Sequence, residues 1–96
     1  MRFARPPTGF KIHLTPAIRG YVESEKASNP EFGRFWDDLL EHLKIVAHRI
    51  GVLEPRLGPG CRLFATGPDP ESGQPRIFVG YLVMGETVYI RLLTVS

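Results

Sequence analysis

Nine apolar residues between positions 32 and 50 step along the chain by threes and ones: Phe32, Phe35, Trp36, Leu39, Leu40, Leu43, Val46, Ala47 and Ile50. At 100° per residue they fall within one arc of about 140°, the pattern of a helix that buries one side. Arg34, Asp37, Asp38, Glu41, Lys44, His48 and Arg49 fill the other side, with Ile45 as the apolar exception near its middle. Asn29-Pro30 supplies a cap and a first helical residue, and Gly51 stands where a helix-ending glycine belongs. Such a helix must set its apolar arc against another element, so the rest of the chain has to present a matching apolar face.

That face is expected from the C-terminal third. Residues 76–84 (RIFVGYLVM) and 87–95 (TVYIRLLTV) are rich in β-formers, and Gly85-Glu86 between them fits a two-residue type II′ hairpin loop. The loop then dictates the pairing: Met84 opposite Thr87, Val83 opposite Val88, Tyr81 opposite Ile90, Val79 opposite Leu92 and Ile77 opposite Thr94. This aliphatic side is expected to receive the long helix. The second side pairs Leu82 with Tyr89, Gly80 with Arg91, Phe78 with Leu93 and Arg76 with Val95.

Further upstream, residues 61–66 (CRLFAT) read as a strand with Cys61, Leu63 and Ala65 toward the core. Residues 10–14 (FKIHL) alternate as a half-buried strand with His13 turned away from the core. Thr15-Pro16 opens a shorter helix over about 16–26, in which Ile18, Tyr21 and Val22 recur at helical spacing. Residues 52–60 form a connector, and residues 67–75 (GPDPESGQP) a long turn. The order β-α-α-β-β-β predicts an α+β fold, with an antiparallel-rich sheet and two helices packed on one face. The 96 residues suit one domain over 1–96, with residues 1–9 as a flexible arm.

Composition removes several classes of function. No apolar run approaches the ~20 residues of a membrane helix, and the first ten residues lack the apolar stretch of a secretory signal. With a single cysteine, Cys61, no disulfide framework can form within the chain, and a cytoplasmic setting is the expectation. Cys61 is expected to be an inert buried thiol. His13, His42 and His48 have no metal-ligand spacing, and no phosphate-binding glycine loop is present, so no metal and no cofactor is expected. Asp37, Asp38 and Glu41 read as a solvated helix face, as does His48. The only basic block is residues 1–22, with Arg2, Arg5, Lys11 and Arg19 and no acid. It reads as a solvated tail, because a formal net charge of +2 does not by itself imply nucleic acid.

The second sheet side is chemically distinctive. If Arg62, Phe64 and Thr66 turn away from the core, Arg62, Arg76 and Arg91 share one face with Phe64, Phe78 and Tyr89. Gly80 leaves room beside Arg91 for a side chain or a flat ligand. Three readings fit these residues: a partly exposed face covered by arginine stems, a protein–protein patch, or a surface that holds RNA phosphates and stacks unpaired bases. On the residues alone they rank in that order. None of the three histidines is assigned to this face, and Tyr89 is its one titratable candidate for moving a proton. Phenols and guanidinium groups make poor bases near neutral pH, so the residues favour holding RNA over cutting it unaided. Ile45, Phe64 and Phe78 are candidates for a contact surface.

Several segments resemble the RelE/ParE superfamily of bacterial type II toxin–antitoxin toxins. Residues 10–19 (FKIHLTPAIR) are similar to the family's first strand and helix start. Residues 57–63 (LGPGCRL) resemble its entry to the next strand. Residues 76–81 (RIFVGY) resemble its arginine-to-tyrosine strand, and the last hairpin strand completes a likeness that covers about residues 10–96. The resemblance implies a toxin that acts on mRNA at the ribosome as an endoribonuclease. By that resemblance Arg76 would stabilise phosphate charge and Arg62 would match a basic position of the family; the sheet-face reading adds Arg91 and Tyr89 as further catalytic candidates, with Arg62, Phe64, Phe78 and Arg76 expected to hold RNA. It also implies a cognate antitoxin, bound through a helix or an added strand, and leaves self-association as a homodimer open. The chain departs from the family by ending Thr94-Val95-Ser96, without the basic C-terminal residues that often supply catalysis, and by the long 67–75 turn. The alternative is a non-enzymatic binding domain on the same scaffold, such as a ParE-like toxin directed at DNA gyrase.

Overall fold

The structure is a computed structural model that describes residues 9–96; the expected arm, apart from Gly9, lies outside the described residues. The elements are β1 (Lys11–Leu14), α1 (Pro16–Ser28), α2 (Pro30–Val46), β2 (Val52–Leu53), a single 3₁₀ turn at Pro55–Leu57, β3 (Arg62–Thr66), β4 (Ile77–Met84) and β5 (Thr87–Val95). Both helices start as the sequence predicts. Thr15 Oγ1 accepts from the Ile18 amide at 3.2 Å, and Asn29 Oδ1 accepts from the Glu31 amide at 3.1 Å. The sheet order is β1-β5-β4-β3-β2, with β1 parallel to β5 and every other pair antiparallel. The result is the expected α+β class, with the helices packed on a mixed five-stranded sheet.

The core lies between α2 and the central strands. Phe32, Trp36, Leu39, Leu43 and Ala47 are buried with Ile77, Val79, Tyr81, Val88, Ile90 and Leu93, and Phe10 and Val22 close the cluster. Leu40 is half-buried against this cluster and Val46 is half-buried, whereas Ile45 is exposed as predicted. Helix α2 ends four residues earlier than its apolar arc, and residues 47–50 turn out of it toward β2. Gly51 follows at φ +75°, where a Cβ would meet the Leu63 carbonyl oxygen at 2.9 Å. His48, expected on a solvated face, is half-buried in that turn, its ring 5.4 Å from that of Phe10.

The hairpin forms at Gly85-Glu86, and its register holds from Met84↔Thr87 to Tyr81↔Ile90. Beyond that the expected pairing is off by one residue. A bulge makes Gly80 face Leu92 rather than Arg91, Val79 face Leu93 and Ile77 face Val95. Strict alternation would turn Thr94 into the core. The extra residue, Arg91, switches the phase so that Leu93 and Val95 take the buried side.

Strand β3 also presents the opposite faces from those expected. Arg62 pairs with Tyr81 and Phe64 with Val79, so both lie on the helix side, while Leu63 and Ala65 fall opposite Gly80 and Phe78. Phe64 fills the space beside α2, its ring 6.1 Å from that of His42, which Ala65 could not do. The 52–60 connector contains the short edge strand β2 and the 3₁₀ turn, neither of which the sequence signals.

These packing assignments carry energetic consequences. Leu43→Ala should cost about 2–5 kcal/mol in chemical denaturation, because its side chain is fully enclosed. Leu93→Ala should cost more than Leu92→Ala, the reverse of the order an unbulged hairpin would give.

Candidate functional site

With both helices on one side, the other side of the sheet displays Lys11 and His13 from β1 and Tyr89 from β5. Phe78, Gly80 and Leu82 face the same way from β4, and Leu63 and Ala65 from β3. The parallel β1–β5 pairing aligns His13 with Tyr89, and their rings lie 5.3 Å apart at an interplanar angle of 57°. Arg91, the bulge residue, is exposed beside them. His13, Thr15, Leu57, Tyr89, Ile90, Arg91 and Leu92 together line a groove of about 580 Å³ that has no carboxylate among its lining residues.

Leu57 forms the groove's inner wall, and it answers the question raised by Gly80. A Cβ on Gly80 would come within 2.6 Å of Leu57 Cδ1, so the space beside the glycine is taken by a side chain of the protein itself. The turn that carries Leu57 is locked by its own ion pair. Arg56 Nη2 and Nε donate to the two Glu54 carboxylate oxygens at 2.6 and 2.9 Å, and Glu54 Oε2 also accepts from the Arg56 amide at 3.3 Å. These hydrogen bonds hold the Glu54 carboxyl down to about 2. The lock is therefore complete above the ordinary glutamate value and is lost as pH falls toward 2. Cys61 is buried beneath the same turn, where its thiol donates to the Leu57 carbonyl at 3.5 Å. The burial is as expected, although Cys61 sits outside the helix-side core.

The sequence-nominated residues divide into three groups. Arg91 and Tyr89 meet in the groove. Arg76 and Phe78 lie on the same open face but at its far end, with the Arg76 guanidinium 5.9 Å from the Phe78 ring centroid. Arg76 pairs with Ser96 through backbone bonds of 3.0 and 2.9 Å, about six strand steps from Tyr89, or about 20 Å. Arg62 and Phe64 are absent from the open face, which corrects the expected three-arginine cluster. Arg62 Nη1 donates to the Ile50 and Gly51 carbonyls at 3.2 and 3.4 Å. The Tyr81 hydroxyl reaches the Ala47 and Ile50 carbonyls at 2.8 and 2.9 Å. Tyr81 and Arg62 thus satisfy the carbonyls where α2 ends. Burial pushes the Tyr81 hydroxyl up to about 12, against an opposing pull from Arg62.

His13 is the residue that sequence reasoning missed. Its alternation out of the core was legible, but its neighbour depended on which strand β1 would join. Only the parallel pairing to β5 brings an imidazole next to Tyr89. Among the described residues no group of His, Cys, Asp and Glu side chains could hold a metal ion, and no helix is long and apolar enough to cross a membrane. Comparison with protein-family models, with curated proteins and with solved structures finds no match to this chain.

The division between structural and open-face arginines is testable. Arg62→Ala should destabilise by about 1–3 kcal/mol, since it strips a donor from part-buried carbonyls, whereas exposed Arg91→Ala should stay within about 0.5 kcal/mol of wild type. Tyr81's raised value implies a contribution that is complete below pH 10 and is lost as pH rises through about 12. Tyr81→Phe should lower stability at neutral pH and flatten the wild-type decline between pH 10 and 12, as read from urea midpoints across that range.

Proposed function

We propose that the chain is a toxin of the RelE/ParE kind and that its helix-free sheet face holds RNA. The carrying observation is the groove that gathers His13, Tyr89 and Arg91 with no acid in its lining. Guanidinium groups recognise phosphate, and exposed rings stack on unpaired bases. Arg76 beside Phe78 repeats that pairing at the far end of the same face. The order of the elements and the segments that resemble the superfamily support the same reading.

The groove also supplies what the arginines alone lack. Cleavage by a 2′-hydroxyl requires a group that accepts its proton, and an imidazole does so near neutral pH far better than a phenol. His13 takes that proton as the 2′-oxygen attacks the adjacent phosphorus. Arg91 supports the negative charge that builds on the phosphorane. The P–O5′ bond breaks, and the departing oxygen collects a proton from the Tyr89 hydroxyl, which recovers one from the imidazolium. The products are a 2′,3′-cyclic phosphate and a free 5′-hydroxyl. Arg76, about 20 Å from Tyr89 by the strand geometry, holds a neighbouring part of the strand. Arg62 serves the fold.

A cognate antitoxin is part of this reading, as is a cytoplasmic target on the ribosome. Strand β2 offers a place for an added strand: it is the sheet's edge next to β3, and Val52 and Leu53 are both about two-thirds exposed. A second copy of the chain could use the same edge.

Induced expression should arrest growth, and co-expression of a neighbouring antitoxin gene should relieve the arrest. On ribosomes programmed with mRNA, His13→Ala and Arg91→Ala should each slow cleavage by about 10²-fold or more. Arg76→Ala should chiefly weaken RNA binding. Toxicity without any cleavage would move the protein to the gyrase-directed or binding-only alternative, and harmless expression would remove the toxin reading.

A further inference from the structure

We infer that the His13–Tyr89–Arg91 groove is a recognition site for one nucleoside monophosphate unit, able to bind a free nucleotide without any ribosome. The shape of the site carries the inference. Two aromatic rings stand 5.3 Å apart and tilted, so they form a corner and not a flat stack. Leu57 and Leu92 close the groove on the side away from β1. At about 580 Å³ it suits a single base with its sugar and phosphate and is small for an extended strand. An aromatic and aliphatic lining takes the base.

The charge distribution selects the other half of the ligand. Arg91 and His13 are the chargeable cationic side chains in the lining, and no carboxylate opposes them. Among the described residues Arg91 makes no ion pair, in contrast to Arg34 and Arg56, which are each held by a glutamate. Two other grooves among the described residues do not share this character. The one between α2 and β3 contains Asp38, and the one beside Leu63 is neutralised by the Glu54–Arg56 pair. The turn bearing Leu57 is closed by backbone bonds of 3.1 and 3.0 Å from the Leu57 and Gly58 amides to the Glu54 and Pro55 carbonyls, and the Leu57 side chain rests on Gly80.

The inference rests on the reading of the open face as an RNA surface, yet the two can fail separately. The nucleotide unit has two sources, a free nucleotide or one residue of an RNA strand, and the experiment distinguishes them. The whole chain is titrated with adenosine 5′-monophosphate, adenosine, inorganic phosphate and oligoadenylate, and binding is followed by calorimetry and by amide shifts of β1 and β5. Adenosine 5′-monophosphate should bind at least about 10-fold more tightly than adenosine or phosphate, because both halves of the site are then filled. Arg91→Ala should cost about 10-fold and Tyr89→Ala at least about 5-fold. Arg34→Ala, on the helix side of the sheet and away from the groove, should change the affinity less than about 2-fold. Equal binding of adenosine and its monophosphate, or undiminished binding to Arg91→Ala, overturns the inference. Oligoadenylate bound while the monophosphate is not also overturns it and leaves the RNA surface standing. Monophosphate bound through Arg91 and Tyr89 with no oligoadenylate binding upholds the site and counts against the RNA surface.

Discussion

The end of helix α2 is a backbone problem that the fold has to solve. A helix leaves its last carbonyls without internal partners, and here they point into the protein, where an unmade hydrogen bond costs about 1–3 kcal/mol. Tyr81 solves it from the middle of β4 by placing one hydroxyl between the Ala47 and Ile50 carbonyls. That bond fixes where α2 sits on the sheet and where the chain leaves it. Gly51 then turns the backbone within touching distance of Leu63, which puts β2 beside β3. Arg62 completes the arrangement by donating to Ile50 and Gly51. Once the guanidinium is used in this way it is unavailable to a ligand.

That constraint explains which parts of the molecule were legible in the sequence. The helix arc, both Pro-led helix starts and the Gly85-Glu86 hairpin are local signals, and each appears at its expected place. The faces of β3 were not legible, because their choice is tertiary. Read alone, CRLFAT offers Leu63 as the natural core residue and Arg62 as the exposed one. The structure prefers Arg62 and Phe64 inward because α2 ends above them with carbonyls to satisfy and a gap to fill. A period-two strand allows no compromise, so one such contact reverses every side chain. Phe64 therefore left the proposed site for the same reason as Arg62. The register beyond Tyr81 failed differently: Leu92 and Leu93 are adjacent leucines, and only the three-dimensional need to bury Val95 in place of Thr94 selects between them.

The same bulge links stability to the candidate site. By shifting the phase of β5 it sends Leu93 into the core, and the residue it leaves over is Arg91. A bulge bends its strand and aims the extra side chain away from the ladder. Here that side chain comes out beside Tyr89, across from His13 on the neighbouring strand. Parallel β1 is essential to this meeting. Because β1 and β5 are the first and last of the described strands, residues separated by most of the sequence become neighbours, which no local pattern could announce.

The open face is consequently not one site but a surface with two ends. Leu57, resting on Gly80, stands between the groove at one end and Arg76 with Phe78 at the other. Tyr89 lies about 20 Å from Arg76 along the strands, so a single nucleotide stacked on Tyr89 spans one end only. A single-stranded nucleic acid, with phosphates repeated along its length, can engage both at once, and its second contact forms at the high effective concentration set by the first. Two weak contacts on an unpaired strand then give useful affinity, while a double helix, whose bases are already stacked, offers nothing to the rings of Tyr89 and Phe78. On the proposed reading of this face, that spacing suits an unpaired strand, with the groove at one end taking a single nucleotide of it.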